Sequence, residues 1–524
     1  MNTEAKRSPS PDLPERERAG VREWLGLFAM AIPIFMLSTD LTVLFIAMPA
    51  IGADLAPAGA QSLWMLHIGD FLGAATAITL GLLTRRIGRR RLLVLGVGAY
   101  GLASLLAAYA TSSEMLIGAR ALLGVAGGSF TVAGHALLRV MFTNKRQYAT
   151  AFAIFTAAFM GGSAAGPPLG GLILEHFWWG AVFLINVPAA ALLLLAAPFV
   201  LPRDTPDRSI RIDPLSVILS VLGIMALIFG LQELADRGAS PLRVAAIVLG
   251  VALLGLFLRR QARSDHPLLD LALFRTKGFA ILLVLLSFAA FAFAGTNMLI
   301  AQHLQVVQGL SSMQAGLLLA APAVSGIIGS LLTPVLQRLI EPTQVLALTL
   351  TLSGASALVV IPLLGTSSLA SQIIALSAIM LFGSPFMTMC TQMIVTSVPP
   401  ERSGPAVAVQ NVFSSLGNAG GLAVTGSLAM AIYRPLFTRE APSGLSANEL
   451  DIARDSFGAA AAVAERADGT LQAQISHALD HAFTVATQAG FGLAGSLQLI
   501  MALIALLWLR RVLRKRSSAT PSEQ

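Results

Sequence analysis

The sequence has little charge and almost no cysteine. Only 12% of its 524 residues are Asp, Glu, Lys or Arg, whereas 55% are hydrophobic and the mean hydropathy is +0.75. This balance excludes an ordinary water-soluble domain and indicates an integral membrane protein. The single cysteine, Cys390, excludes an internal disulfide. The chain has no Gly-Lys dipeptide, so it lacks the Walker loop that would hold the phosphates of ATP.

Apolar stretches long enough to cross a hydrocarbon core of roughly 30 Å recur along the chain. They predict fourteen transmembrane helices, because a spanning segment must satisfy its backbone hydrogen bonds internally. The predicted spans cover residues 24–50, 61–83, 91–110, 114–137, 149–174, 180–201, 213–234, 241–259, 279–301, 313–336, 343–364, 370–395, 405–433 and 486–509. The fold class expected from this pattern is an all-α integral membrane protein.

Lys and Arg are distributed unevenly between the two sides of the predicted helices. With the N terminus in the cytoplasm, most of the 35 lie on the cytoplasmic side, including those of RRVLRKR at 510–516. This predicts a multi-pass protein of the bacterial inner membrane with both termini in the cytoplasm. The net charge of +8 then reflects topology and contact with anionic lipid, and it does not indicate nucleic-acid binding.

Two polar segments, 203–213 and 259–275, divide the spans into groups of six, two and six. This partition favours two transport bundles with an inserted pair of helices between them. The expected domains are a disordered cytoplasmic tail at 1–23, an N-terminal six-helix bundle at 24–201, a linker with two helices at 202–278, a C-terminal six-helix bundle at 279–509, and a basic cytoplasmic tail at 510–524. The first tail has no cleavage site after a short apolar core, so we expect no signal peptide.

One large segment, residues 434–485, is expected on the outer side of the membrane. Ser446 and Glu449 have the spacing of a capping box, and Asp-Gly at 468–469 interrupts the pattern, which together predict a helical hairpin. This hairpin either gates an exit path or is a structural cap. His477 and His481 have the spacing of a metal pair, but further ligands are lacking, so a solvated helix face is favoured and no metal site is expected.

Two glycine-containing motifs are prominent. GLLTRRIGRRR at 81–91 lies between the second and third spans, where Gly81 and Gly88 are expected to permit a tight turn at the membrane surface. Its arginines are expected to anchor this turn to the cytoplasmic leaflet; we assign to the motif Arg85, Arg86, Arg89 and Arg90. GSAAGPPLGG at 162–171 lies in the fifth span, where prolines interrupt the helical ladder and glycines allow close helix approach; its motif residues are Gly162, Gly166, Pro167, Pro168, Gly170 and Gly171.

These motifs resemble those of the major facilitator superfamily. GSAAGPPLGG is similar to the antiporter motif, GLLTRRIGRRR to the cytoplasmic loop motif, and STDLTVLFIAMP at 38–49 to the first-span motif of the fourteen-span drug:proton antiporters. The resemblance extends to exporters of quaternary ammonium compounds and methyl viologen. It implies two six-helix bundles plus two inserted helices, alternating access, exchange of protons for amphipathic and mainly cationic compounds, no cofactor, contact with lipid, and a monomer.

The sequence departs from the family pattern at several positions. Arg85 replaces an Asp that the loop motif commonly carries, and Trp64 is followed by His67 where relatives have Trp-x-x-Asp. Gln410 and Asn411 occupy a stretch in which several relatives carry a glutamate. The chain therefore has fewer acids within its spans than the family that it resembles.

The charged residues that we assign to the interior of the spans are Asp40, Asp70 and Arg120, with His67 as a titratable neighbour. A charge near mid-membrane costs at least about 2.5 kcal/mol on insertion scales, so each is a functional candidate. Counting 1.5 Å per residue places all four at similar depths in the outer half. We expect Asp40 to bind either a proton or a cation, with Arg120 as its charge partner. The alternatives are a structural ion pair, a bystander role for Asp70 and a packing role for His67.

Aromatic, thioether and amide side chains are weaker candidates for a substrate cavity. We assign to it Phe155, Phe159, Phe288, Phe291, Met387, Gln410 and Asn411. The function expected is proton-coupled multidrug efflux. The alternatives are a proton-coupled exporter of an endogenous metabolite or lipid, and a non-transporting receptor or scaffold. No nucleophile–base pair can be assembled from the sequence, so an enzyme is not expected.

Overall fold

The computed structural model describes residues 19–509 apart from 56, 58, 204–205, 238–239, 265–266, 270, 272–273, 275–276, 366–367 and 456. Most of the predicted N-terminal tail and the whole basic C-terminal tail therefore lie outside the described residues. Among the described residues, fourteen helices are long and apolar enough to cross a membrane, and no strand occurs.

Seven helices form the N-terminal part of the molecule. They are α1 (Val21–Leu55), α2 (Gly59–Arg86), α3 (Arg89–Ala108), α4 (Ser113–Met141), α5 (Lys145–His176), the short α6 (Ala181–Leu184) and α7 (Asn186–Val200). The side chain of Ser112 caps α4 by accepting from the Met115 amide, and Asn144 caps α5 in the same way. Helix α1 packs against α5 and α7, while α4 packs against α2 and α3.

An inserted pair of helices follows, α8 (Pro214–Arg237) and α9 (Pro241–Gln261). Their backbones approach closely at glycines, since a Cβ on Gly250 would lie 2.6 Å from the Leu227 amide nitrogen. Helix α8 also packs against α2. It packs equally against the later helix Ser403–Glu440. The inserted pair therefore lies beside the seam between the two bundles, and α8 brings side chains against α2.

The remaining helices are α10 (Lys277–Val306), α11 (Ser312–Leu339), α12 (Pro342–Leu363), α13 (Leu369–Thr396), α14 (Ser403–Glu440), α15 (Ala447–Asp455), α16 (Phe457–Arg466) and α17 (Gly469–Ile504). Helix α14 packs against α10 and α17, and also crosses to α2 and α8. Helix α11 packs against α13 and crosses to α5. The two bundles thus meet along α5 and α11 on one side, and along α2, α8 and α14 on the other.

The segment 434–485 is helical, with α15 and α16 between the ends of two long helices. Ser446 and Glu449 form the capping box, since the Glu449 carboxylate accepts from the Ser446 amide at 2.9 Å and the Glu449 amide donates to Ser446 Oγ at 3.3 Å. Gly469 begins α17 with a φ of +51°. The rings of Phe457 and Phe483 stack with centroids 4.0 Å apart. This aromatic contact joins α16 to the extended part of α17.

Along α2 and α14 the bundles contact each other closely at one end of the molecule. We call the end that carries the arginines at 85–91 the basic end, and the opposite end, which carries α15 and α16, the hairpin end. At the basic end a Cβ on Gly81 would lie 2.7 Å from the Ala408 Cβ, and Arg89 Nη2 donates to the Pro400 carbonyl at 2.9 Å. Val132 of α4 is buried against Val395 and Val407. The seam between the bundles is therefore closed there.

Candidate functional site

A buried ion pair joins α1 to α4. Arg120 Nη1 donates to Asp40 Oδ2, and Arg120 Nε donates to the Met65 carbonyl of α2 at 3.2 Å. The side chains of Asp40 and Arg120 are only 3% and 2% exposed. Arg120 reaches α2 because α2 and α4 touch at Gly69 and Gly124. A Cβ on Gly124 would overlap the Gly69 carbonyl, and a Cβ on Gly69 would lie 3.2 Å from the Arg120 carbonyl. Three helices of the N-terminal bundle thus share one charge centre.

Part of this charge centre has no hydrogen-bond partner. Among the described residues, Asp40 Oδ1, the hydroxyl of Ser38 and the hydroxyl of Tyr100 are buried without one. Tyr100 of α3 interacts electrostatically with Asp40, Arg120 and Asp70. The Tyr100 hydroxyl also lies near enough to Asp40 for a weak hydrogen bond between the two side chains. Sequence reasoning missed Tyr100; its signal was a phenol in the middle of an apolar span.

Asp70 and His67 extend the charge centre along α2. Asp70 interacts electrostatically with Arg120, His67 and Asp40, and His67 interacts with Asp70, Arg120 and Glu233. The structure therefore places the four predicted charged residues in one electrostatic network. The sequence analysis did not select Glu233 of α8. Its position within the predicted span 213–234 was the available signal, because a carboxylate is rare there.

Asp70 is exposed on the side of α2 that faces the C-terminal bundle. Asp70 and Gly81 are eleven residues apart, which is about three turns, so they share a helix face. Gly81 contacts α14 at the basic end, whereas Asp70 on the same face is exposed. Helix α14 therefore covers this face of α2 at Gly81 and leaves it uncovered at Asp70.

The glycines of GSAAGPPLGG hold α5 against α1. A Cβ on Gly162 would overlap the Phe35 carbonyl, one on Gly166 would overlap the Thr42 hydroxyl, and one on Gly170 would overlap Val43. Thr39 Oγ1 donates to the Gly162 carbonyl at 3.1 Å. Glycine at every fourth position therefore fixes the distance between α5 and the helix that carries Asp40.

A cavity of about 230 Å³ lies between the bundles on the other side of α1. Its lining is mostly apolar, with hydroxyl, amide and aromatic groups added from Thr42, Ser163, Phe293, Thr296, Asn297 and Phe491. Within the described lining there is no acidic or basic side chain. Asp40 and Thr42 are two residues apart, about 200° around the helix, so they project from opposite faces of α1.

The comparisons with known proteins agree with this architecture. The model of the family described as "Major Facilitator Superfamily" matches residues 30–422. The chain belongs to the major facilitator superfamily. It is 34% identical over 451 residues to the "Multidrug efflux pump LfrA" of Mycolicibacterium smegmatis, covering 86% of this chain and 89% of the relative. It is 31% identical over 490 residues to the "Methyl viologen resistance protein SmvA" of Salmonella typhimurium, covering 92% and 97%.

A solved facilitator structure has the same fold. The human organic anion transporter MFSD10 superposes with a TM-score of 0.60 at 14% identity, covering 92% of this chain and 99% of that one. The sequence-based prediction of an all-α facilitator fold with fourteen membrane helices is confirmed. The protein is a multi-pass membrane protein.

The facilitator loop motif is built differently from the prediction. Gly88 begins α3 with a φ of +94°, so the tight turn needs a glycine there. Gly81, however, lies inside α2 and serves helix packing rather than the turn. Beyond the motif, the Asp207 amide donates to the Arg85 carbonyl at 3.0 Å. A hydrogen bond from Ser209 and, to a lesser degree, the nearby Arg85 guanidinium lower the pKa of Asp207.

The residues predicted for the facilitator's substrate cavity lie outside the lining of the 230 Å³ cavity. Phe155 is buried near Gly134, and Gln410 donates to Thr391 Oγ1 at 3.0 Å. Phe159 and Phe288 are exposed, while the others are half-buried: Phe291, Met387 and Asn411. The sequence offered no charge pattern for the lining found here, because Thr, Ser, Asn and Phe are common in any membrane bundle.

His481 lies 2.9 Å from the Glu440 carboxylate, and no cluster of three metal-binding side chains occurs in the described part of the chain.

Proposed function

We propose that this chain exports amphipathic drugs, mainly organic cations, in exchange for protons by alternating access. The observation that carries the proposal is the Asp40–Arg120 pair, buried in an apolar bundle and electrostatically connected to the exposed Asp70. An ionised pair is costly to insert in such a place, so its presence indicates a function. The relatives named for multidrug efflux and for methyl viologen resistance support the same reading.

The proposal includes an orientation. The basic end faces the cytoplasm, because arginines and lysines are retained on that side during membrane insertion. The closed seam at Gly81 and Val132 is then the cytoplasmic seal, and the space in front of Asp70 opens to the outside. The conformation corresponds to the outward-facing half of a transport cycle, in the bacterial inner membrane.

Proton and drug are coupled through α1 rather than by contact with the same carboxylate. Asp40 faces Arg120 on one side of α1, and Thr42 faces the cavity on the other. Protonation of Asp40 removes its charge and weakens its hold on Arg120, which frees α1 to shift against α4. A shift of α1 also moves Thr42, so each ligand changes the affinity for the other by the same free energy.

The cavity lining favours lipophilic ions with dispersed charge. Phe293 and Phe491 provide aromatic surface, and Thr296 and Asn297 provide dipoles. A small inorganic cation would need carboxylate ligands, which the described lining lacks. A quaternary ammonium or bis-pyridinium compound carries its charge inside an apolar shell and needs no such ligands.

Reconstituted protein tests the proposal. A quaternary ammonium cation added to proteoliposomes with an imposed pH gradient is expected to stimulate proton flux by wild type. Asp40→Asn should abolish the stimulated flux, whereas Asp451→Asn, on the exposed hairpin with 76% of its side chain accessible, should leave it unchanged. Absence of stimulated flux in wild type would refute drug–proton exchange. Normal flux in Asp40→Asn would refute the assignment of the coupling carboxylate.

A second candidate function is proton-coupled export of an uncharged amphipathic metabolite or lipid. The uncharged lining of the cavity, together with Gln410 and Asn411 in place of a family glutamate, favours it. The same liposomes distinguish the two candidates. Stimulation of proton flux by neutral amphipathic compounds but not by quaternary ammonium cations would favour the metabolite exporter.

A further inference from the structure

Asp70 is an isolated carboxylate in the seam between the bundles. Its side chain is exposed, and within the part of the chain that the structure describes it takes part in no hydrogen bond and no ion pair. The nearby guanidinium of Arg120 is already engaged by Asp40 and by the Met65 carbonyl. The stretch of α14 from Ser403 to Tyr433 contains no Asp, Glu, Lys, Arg or His. The charge of Asp70 is therefore available to a ligand.

A polar stripe of α14 faces the same seam, with members at spacings of three, four and three residues: Ala408, Asn411, Ser415 and Asn418. Residues at these spacings lie along one side of a helix. Ala408 is buried where it meets α2, whereas Asn418 is exposed. Exposure therefore rises along α14 toward the hairpin end, as it also does along the facing side of α2.

Asp70 and Asn418 lie at the same level in the membrane. A Cβ on Gly81 would lie 2.7 Å from the Ala408 Cβ, and this contact fixes one level shared by α2 and α14. Asp70 is eleven residues from Gly81 toward the hairpin end, which is about 16.5 Å. Asn418 is ten residues from Ala408 in the same direction, which is about 15 Å. A carboxylate and a carboxamide thus border one gap, and no hydrogen bond joins these two described side chains.

The inserted helix α8 closes this gap toward the lipid. Ile224 and Ile228 are buried in one apolar cluster with α2 and α14. The rings of Trp64 on α2 and Phe229 on α8 stack with centroids 5.3 Å apart, so these residues share one level. Ile224 lies about 7.5 Å from Phe229 toward the basic end. Asp70 lies about 9 Å from Trp64 in the same direction, so α8 shields the carboxylate from the acyl chains on this side.

The gap is separate from the uncharged cavity. The described residues that line that cavity belong to α1, α5, α10, α11, α13 and α17, so α2 and α14 contribute none of them. In the gap, an ionised carboxylate attracts a cation and an amide oxygen offers a second acceptor. A hard inorganic cation such as Ca²⁺ requires about six or more closely spaced oxygens. An organic cation requires only a counter-charge and room for its substituents.

We propose that the gap between α2 and α14 is a subsite for the charged group of an organic cation, with Asp70 as the counter-ion and Asn418 as the facing dipole. This inference rests on the proposed export of cationic drugs and names the residue that selects them. Because the described lining of the cavity holds no charge, the subsite provides the preference for cations over neutral compounds of similar size. Neutral compounds bind in the cavity without using Asp70.

Calorimetric titration of the purified protein in detergent tests the subsite without any proton gradient. The probes are tetraphenylphosphonium and the neutral triphenylphosphine oxide, which are similar in size. Asp70→Asn is expected to weaken binding of the cation about tenfold and to leave binding of the neutral probe within about twofold of wild type. The double variant Asp70→Asn/Asn418→Asp places a carboxylate on the opposite wall and should recover most of the lost affinity. Asp451→Asn, on the exposed hairpin, is the control for loss of a surface charge and should bind both probes like wild type.

Each contrary outcome removes a defined part of the inference. Unchanged affinity for tetraphenylphosphonium in Asp70→Asn would refute the subsite. Equal weakening of both probes would show that Asp70 shapes the protein and does not select charge. Failure of the double variant to recover affinity would remove α14 as the opposite wall.

The proposed function fails by a different measurement, since drug-stimulated proton flux in liposomes decides it. Flux in wild type without charge-selective loss of binding in Asp70→Asn would retain drug–proton exchange and remove the subsite. Charge-selective loss of binding in Asp70→Asn, in a protein whose wild type shows no flux, would retain the subsite and remove the exchange.

Discussion

At the scale of single residues, the charge of Arg120 is balanced only in part. Asp40 Oδ2 and the Met65 carbonyl accept from the guanidinium, while Asp40 Oδ1 is buried without a partner. Such a pair is stable while both partners are charged and strained once one is removed, because a lone buried charge has no solvent. The pair therefore responds strongly to a single proton.

Removal of one partner of this pair is expected to destabilise the protein. Arg120→Gln leaves the Asp40 carboxylate buried and unpaired, which costs about 3–5 kcal/mol in comparable pairs. The double variant Asp40→Asn/Arg120→Gln contains no buried charge, so most of this loss should be recovered. Denaturant unfolding in detergent measures both free energies of unfolding. A double variant as unstable as Arg120→Gln would contradict the argument.

At the scale of helices, the contact between α1 and α5 depends on which glycine faces which helix. Gly162 faces the α1 backbone at Phe35, whereas a Cβ on the adjacent Gly161 would make an ordinary contact of 3.5 Å with the Phe35 ring. The two glycines are adjacent in the sequence, but a methyl group fits between α5 and α1 only at Gly161. Their comparison isolates the role of close helix approach.

Gly162→Ala is expected to reduce both stability and transport. The added methyl group must push α5 away from α1, and overpacking of this kind typically costs about 1–3 kcal/mol. Gly161→Ala should be close to wild type in both measurements. Thermal unfolding in detergent and drug-stimulated proton flux provide the comparison. Equal effects of the two substitutions would show that the motif acts through backbone flexibility and not through packing.

The ends of α8 and α9 at the basic end are joined by an exposed salt bridge. Arg260 Nε donates to Asp213 Oδ2 at 2.6 Å, and this hydrogen bond, with a second one from Ser216, lowers the pKa of Asp213. Because the folded-state pKa lies below the unfolded value, the stabilising contribution is present above the unfolded value. It is lost as the pH falls through the depressed folded pKa.

Asp213→Asn is therefore expected to lower the melting temperature slightly at pH 7, by about 1 °C for an exposed pair. The difference from wild type should begin to shrink below the ordinary pKa of an aspartate, where the unfolded state takes up a proton, and it should continue to shrink until the pH reaches the depressed folded-state pKa. Melting curves from pH 7 down to pH 3 measure the onset of this decrease. A difference that stays constant across the series would mean that Asp213 acts through its shape and not through its charge.

The helices and their number followed from hydropathy, because spanning segments must be apolar and long. Charge placement also allowed Asp40, Arg120, Asp70 and His67 to be selected, since each is rare inside a span. Tyr100 was not selected because tyrosine is tolerated there, and Glu233 because it lies at the edge of its span. The cavity could not be derived, because its lining is defined by how two bundles meet and not by any periodic pattern.

At the scale of the whole molecule, the two bundles meet differently on their two sides. Along α5 and α11 they remain in contact toward the hairpin end, where a Cβ on Gly171 would lie 2.9 Å from Met313 Cε, whereas along α2 and α14 the close contact is at the basic end. Thr84 is buried against Gly404 at the basic end, whereas Asp70, about four turns along the same helix, is exposed. Alternating access requires this asymmetry to reverse during transport. The native Cys390 is buried, so an introduced cysteine reports accessibility with little background.

Asp70→Cys is expected to react with a hydrophilic maleimide added to purified protein, and Thr84→Cys to remain unmodified. The physical reason is that the reagent must enter the space between the bundles, which is open at Asp70 and filled at Thr84. Intact-mass measurement counts the labels, and wild type with Cys390 alone sets the baseline. A transported drug that shifts the cycle toward the opposite state should lower labelling at position 70 and raise it at position 84. Equal labelling of both positions, with and without drug, would contradict a closed contact at Thr84. It would also show that the change in accessibility during transport does not occur between these two positions.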